Sequence, residues 1–234
     1  MQLKRILLKL SGEALMGDKE HGIDPGRLTQ YASEIVEASK AGTQIAIVVG
    51  GGNIFRGLEG AAEGMDRVQG DYMGMLATVI NSLALQAELE KQGAKTALFS
   101  GMLIRPFARQ MSAESAISEL ETGKVILISG GTGNPYFTTD SASALRALEI
   151  KANIILKGTR VDGVYTSDPE KDPDAKKYEN LSYDEALEKG LRIMDQTAFT
   201  LCLENNMPIY VFNMNEKGNL KKVLDGNNIG TLIS

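Results

Sequence analysis

Tryptophan is absent, and cysteine and histidine occur once each among 234 residues. A single cysteine excludes an intrachain disulfide and fits a reducing cytoplasm. A single histidine excludes chemistry built on paired imidazoles. No apolar run approaches the roughly 18 residues of a membrane span. The opening MQLKRILLKL is too short for the apolar stretch of a secretion signal, and no cleavage site follows it. The expectation is a soluble, cytoplasmic protein with no membrane partner. Disorder is excluded too, because 43% of residues are hydrophobic and 24% charged, close to the roughly 45–50% and 25% of globular chains. Lys+Arg 25 against Asp+Glu 30 gives a net charge of −5, a poor footprint for nucleic acid, and no nucleic-acid partner is expected. Glycine is in surplus, at 25 residues where average usage of about 7% gives about 16.

Short apolar runs alternate with segments of helical period. The runs are 4–10, 43–50, 95–100, 124–130, 152–158 and 208–213. Several are apolar on consecutive positions, as in parallel strands covered on both faces. Helices are expected at about 24–41, 71–92, 112–122, 139–151, 182–190, 195–206 and 216–225. In the second of these, Met73, Leu76, Ile80, Leu83 and Ala87 make one apolar stripe. Gly42, Gly93 and Gly123 sit at helix ends as C-cap signals. The pattern implies an α/β fold, a mainly parallel central sheet with helices on both faces. Around 160–175 the Asp162-Gly163 pair signals a hairpin and the Asp-Pro pairs mark loops. That segment reads as an excursion from the sheet, so 1–234 is taken as one domain.

The surplus glycine lies where strands end: Lys9-Leu10-Ser11-Gly12, Gly50-Gly51-Gly52-Asn53 and Gly130-Gly131-Thr132-Gly133-Asn134. In open α/β sheets ligands bind beyond the carboxyl ends of strands, and helix N-termini favour anions. Three such ends suggest a wide site for several phosphates, although each alone is equally an ordinary tight turn. No G-x-x-x-x-G-K-[ST] occurs, which excludes a P-loop. The spacing of G-x-G-x-x-G is missing as well, so a dinucleotide fold is weakly supported. Lys9 and Lys157 each end a buried strand, where a cation is costly unless it meets an anion. Two such lysines suit an anion bound at the strand ends, and snorkelling strand-end lysines are the plainer reading.

The blocks Lys9–Gly12, Gly50-Gly-Gly-Asn-Ile-Phe-Arg-Gly57, Thr132-Gly-Asn-Pro-Tyr-Phe-Thr-Thr-Asp140 and Lys157-Gly-Thr-Arg-Val-Asp-Gly-Val-Tyr165 with Asp168-Pro169 resemble the amino acid kinase superfamily. Within it they are similar to the bacterial uridylate (UMP) kinases, over essentially the whole chain. The resemblance implies the amino acid kinase fold, a three-layer αβα sandwich with an acceptor-side lobe at about 1–150 and an ATP-side lobe at about 151–234. It implies transfer of the γ-phosphoryl group of ATP to UMP, with Mg²⁺ arriving on ATP and no dedicated protein ligands. It also implies a homohexamer with GTP and UTP as effectors. Lys9, Arg56, Asp140 and Lys157 would form the catalytic set, with Asp140 anchoring the lysines. ATP would meet Lys9, Leu10, Ser11, Gly12, Gly52, Arg56, Thr159, Tyr165 and Asp168. UMP would meet Gly51, Arg56, Asp71 and the segment Thr132, Gly133, Asn134, Pro135, Tyr136, Phe137, Thr138 and Thr139, which reads uracil. The loop Gly17, Asp18, Lys19, Glu20, His21 and Gly22 matches the GTP-effector region.

Plainer roles stand beside these. Asp140 at a helix start is favoured by the helix dipole. Asp71 reads equally as an N-cap or as the acceptor for ribose hydroxyls. His21 reads as a surface residue, Cys202 as a small core residue and Asp195 as an N-cap. Two rivals remain: a superfamily kinase acting on a carboxylate or carbamate, and a non-catalytic binding protein on the same fold.

Overall fold

The computed structural model describes residues 3–55, 64–169 and 171–234. Its strands are β1 (Arg5–Leu10), β2 (Gln44–Val49), β3 (Thr96–Ser100), β4 (Arg109–Gln110), β5 (Val125–Ser129), β6 (Ile154–Thr159), β7 (Val164–Tyr165), β8 (Lys177–Tyr178), β9 (Asn180–Leu181), β10 (Ile209–Asn213) and β11 (Thr231–Ile233). Its helices are α1 (Pro25–Lys40), α2 (Arg67–Lys91), α3 (Ala113–Glu121), α4 (Thr139–Glu149), α5 (Tyr183–Glu188), α6 (Gln196–Glu204) and α7 (Asn219–Leu224), with a 3₁₀ turn over Gly12–Leu15.

Among the described residues, nine strands form one sheet in the order β4-β3-β5-β2-β1-β6-β10-β11-β9. All neighbours are parallel except β10 and β11. The consecutive apolar residues of β1 alternate between two cores. Ile6, Leu8 and Leu10 face α1, α2 and α7 with Tyr31, Ile35, Leu85 and Leu220. Leu7 faces the opposite layer, with Ala144 and Ala147 of α4 and Ala198 and Phe199 of α6. Period 2 therefore puts Lys9 on the α4–α6 side. Across the β1–β6 ladder Lys9 lies opposite Lys157, so both lysines emerge together at the carboxyl edge.

Three expectations need correction. The helix expected from residue 71 begins at Arg67, and its N-cap is Asp66, whose side chain accepts from the Gln69 N–H at 3.1 Å. Asp71 is one turn inside and caps nothing. Secondly, the stripe of α2 points outward, with Leu76 47% and Ile80 50% exposed. Its buried face is Met75, Thr78, Val79, Asn81, Ser82, Leu85 and Leu89, where Thr78 and Asn81 bond the glycine-rich loops and Leu85 and Leu89 pack with Tyr31 and Ile35 of α1. Thirdly, Asp162-Gly163 precedes the hairpin instead of turning it. β7 pairs antiparallel with β8, so the chain reverses after Tyr165 and before Lys177.

Candidate active site

The first loops meet backbone to backbone. A Cβ on Gly12 would lie 2.7 Å from the Gly52 nitrogen and 2.8 Å from the Gly50 oxygen, so only glycine permits the turns after β1 and β2 to touch. Ser11 caps the 3₁₀ turn by accepting from the Ala14 N–H at 3.2 Å. Behind the glycines, two buried amides pair reciprocally. Asn53 Nδ2 donates to Asn81 Oδ1 at 3.1 Å, and Asn81 Nδ2 to Asn53 Oδ1 at 2.7 Å. Their second hydrogens hold the Gly22 and Gly50 carbonyls, each at 2.7 Å.

At the carboxyl edge the charges converge on one carboxylate. Lys9 Nζ lies 2.8 Å from Asp140 Oδ1, and Lys157 Nζ lies 3.1 Å from Oδ2. Lys9 is only 8% exposed. Burial alone raises a carboxyl, but Lys9 and Lys157 together outweigh it and hold Asp140 at about 2, below its ordinary 3.8. Burial, reinforced by Lys9, pulls Lys157 down, while Asp140 opposes that shift. Lys157 also donates to the Ile193 carbonyl. Asp140 stays ionised, and the two cations are held side by side.

Asp140 is fixed by how α4 starts. Thr138 caps the helix, its hydroxyl accepting from the Asp140 and Ser141 N–H groups at 3.1 and 3.2 Å. That hydroxyl in turn donates to Asp195. Asp195 caps α6 through the Ala198 N–H at 2.9 Å and also accepts from Ser141 Oγ at 3.1 Å. One carboxylate therefore caps its own helix and latches it to α4, a second role the sequence did not display.

Cavities open on either side of this charged edge. One of about 390 Å³ is bordered by Lys9, Ser11, Arg27, Lys157, Thr159, Arg160 and Asp168. A neighbour of about 270 Å³ lies against Val161, Tyr165 and Arg192. There the Tyr165 hydroxyl donates to Asp162 at 2.6 Å, and the phenol is pushed up to about 12 by that bond and by burial. Across the edge, about 180 Å³ is enclosed by Gly51, Gly52, Asp71, Gly131, Thr138 and Thr139. A larger hollow, about 570 Å³ between Lys4, Glu37, Thr43 and Lys221, lies at the amino ends of β1 and β2, away from every glycine-rich strand end.

Of the segment 132–139, Phe137, Thr138 and Thr139 line the third cavity, with Gly131 just before it. Gly130, Gly131 and Gly133 have φ of 69, 57 and 86°, and Tyr136 stands at 71°. Tyr136 donates its N–H to Asp71 Oδ2 at 2.7 Å, and Arg67 Nε donates to the same carboxylate at 2.8 Å. The Arg67 guanidinium also stands 5.7 Å from the Tyr136 ring centroid. Arg56, expected as a phosphate clamp, lies outside the described residues, as does Gly57 of its block. His21 is exposed, in the loop tied to Asn53. Cys202 is fully buried, and burial pushes its thiol up to about 12.

Sequence reasoning missed Arg146, Asn53 with Asn81, and Arg67. Arg146 alone carried a signal: an arginine set among Ala142, Ala144 and Ala147, which line the core. Asn53 and Asn81 are apart in sequence and meet only in the fold.

A divalent cation finds no ready ligands here. Among the described residues no group of three His, Cys, Asp or Glu could hold a metal, and both Asp140 oxygens face lysines.

The sequence profile of the amino acid kinase family matches residues 4–213. The chain is 58% identical to the uridylate kinase of Parabacteroides distasonis, over 99% of this chain and 98% of that protein. It is also 58% identical to that of Porphyromonas gingivalis, over 99% and 97%. Among solved structures, the UMP kinase of Bacillus anthracis superposes with a TM-score of 0.96 at 36% identity, covering 100% of this chain and 97% of that one.

Proposed function

Because the chain belongs to the amino acid kinase family, we propose that it is a uridylate kinase, transferring the γ-phosphoryl group of ATP to UMP to give UDP and ADP in pyrimidine nucleotide biosynthesis. The observation that carries this reading is the Lys9–Asp140–Lys157 cluster between two cavities. ATP takes the side bordered by Lys9, Ser11 and Gly12 from the first lobe and by Thr159, Tyr165 and Asp168 from residues 151–234. UMP takes the side of Gly51, Asp71 and 132–139, within residues 1–150, with Arg56 on its phosphate.

A phosphate oxygen of UMP attacks the γ-phosphorus as the bond to the bridging oxygen of ADP breaks. Lys9 and Lys157 stabilise charge on the equatorial oxygens, and Asp140 keeps the two ammonium groups at the required spacing. Mg²⁺ would arrive with ATP and would neutralise charge on its phosphates, with no protein ligand assigned to it. The acceptor, with a second pKa of about 6, is already largely a dianion at neutral pH, so no general base is needed. GTP at the Gly17–Gly22 loop and UTP are the proposed effectors, and the cytoplasm is the proposed location. The outward stripe of α2 supports assembly of copies into a homohexamer.

A coupled assay for ADP formation with UMP and with CMP tests the reading. UMP is expected to be used far better. Cytosine exchanges a carbonyl for an amino group and would leave partners in 132–139, covered once the base is bound, unmet at about 1–3 kcal/mol per group. Comparable kcat/KM for the two would overturn the assignment of that segment.

A further inference from the structure

The segment proposed to read the base is gripped from behind by one buried cation. Arg146, on α4 and 6% exposed, donates from Nη2 to the carbonyls of Gly131 and Thr132, each at 3.2 Å. Its Nη1 meets Glu149 Oε2 at 2.7 Å, and its buried Nε has no hydrogen-bond partner among the described residues. A buried guanidinium with an unused donor is a poor choice for packing alone, since an apolar side chain of similar length would fill the space without an unmet group. What arginine adds is a planar fork, one arm of which, Nη2, meets two successive carbonyls while the other, Nη1, is held by Glu149.

That fork acts on backbone that is otherwise soft. Gly130, Gly131 and Gly133 all lie in the left-handed region, which glycine leaves as freely as it enters. The opposing wall is Gly101, where a Cβ would stand 2.8 Å from both the Gly131 oxygen and the Gly133 nitrogen, and 3.0 Å from Arg146 Nη2. The loop is thus held between a bare backbone and a cation. Neither Gly101 nor Arg146 borders the acceptor cavity.

We propose that Arg146 is a positioning residue for acceptor-base selectivity. By pinning the carbonyls of Gly131 and Thr132, it fixes the turn over 130–134, closed on itself by the Gly133 N–H to Gly130 and Asn134 N–H to Thr132 Oγ1 bonds, and with it the course of 132–139 past the pyrimidine. This rests on the reading of 132–139 as the base-contact segment.

The test is steady-state kinetics of the full chain and of Arg146→Lys with UMP and CMP at saturating Mg–ATP, together with the KM for Mg–ATP and Tm. Lysine keeps the charge and loses the fork. Arg146→Lys is expected to raise the KM for UMP about tenfold with the KM for Mg–ATP unchanged. The preference for UMP over CMP in kcat/KM should fall by a similar factor. A merely structural arginine would lower Tm and slow both nucleotides alike. Glu149→Ala, which frees the guanidinium from its exposed side, should reduce the preference about threefold, and it decides the matter alone if Arg146→Lys does not fold. An unchanged preference in the folded variants overturns the proposal. If the unaltered enzyme itself fails to distinguish UMP from CMP, it is the base-contact reading that falls.

Discussion

With Asp140 held at about 2 between two ammonium groups, its carboxylate cannot take a proton from any acceptor near pH 7. The pH dependence should therefore belong to the substrate. Under saturating Mg–ATP, log(kcat/KM) for UMP is expected to rise through about pH 6 and then stay level to about 8. Asp140→Asn should lower the plateau without moving that limb, and a limb that vanishes in the variant would make the aspartate a base. Stability has its own sign. A carboxyl whose folded pKa lies below its ordinary 3.8 contributes stability that is complete above about 4 and lost as pH falls toward 2. Urea midpoints between pH 5 and 2 should fall more steeply for the parent than for Asp140→Asn. Lys9→Ala should cut kcat by about 100-fold or more with little change in the KM for UMP, because its charge is needed mainly as the phosphoryl group moves. A variant that instead weakens UMP binding at constant kcat would place Lys9 on the acceptor.

At the scale of elements, the strands and helices were legible because parallel strands covered on both faces read as unbroken apolar runs between helical periods. The faces were less so. α2 carries apolar residues all round: Leu76 and Ile80 lie outside while Leu85 and Leu89 lie inside, and Thr78, Asn81 and Ser82 face the interior with them. Thr78 and Asn81 are inside for what they bond: Thr78 accepts from the Gly130 N–H at 2.8 Å, and Asn81 Nδ2 donates to the Gly50 carbonyl at 2.7 Å. Periodicity reports that a helix has an apolar stripe, and only its neighbours decide which stripe is core. Strands of two or three residues, such as β9 and β11, are shorter than any pattern. If the outer stripe joins copies, Leu76→Glu should dissociate the assembly, since each such side chain is worth about 1.5–3 kcal/mol when buried. Light scattering should then show smaller particles that keep their helical circular dichroism. An unchanged mass would remove α2 from the interface.

For the whole molecule, the charged cluster draws Lys9, Asp140 and Lys157 from the ends of β1 and β6 and the start of α4. Nothing in their spacing along the chain brings them together. The sheet does so, by placing β6 beside β1 with Lys9 opposite Lys157, and the sequence disclosed it only through resemblance. The same architecture encloses the chain's single thiol. Cys202 lies in α6, against the core shared with α4, and is held at about 12 by burial. Reagents attack the thiolate, so modification must wait until α6 swings away from α4. The molecule thus carries its own clock for opening. Labelling with a chromogenic disulfide in native buffer should run orders of magnitude slower than with free cysteine. It should slow further when Mg–ATP and UMP occupy the cavities beside Asp140, and rapid labelling of the intact fold would mean that the latch through Asp195 is open most of the time.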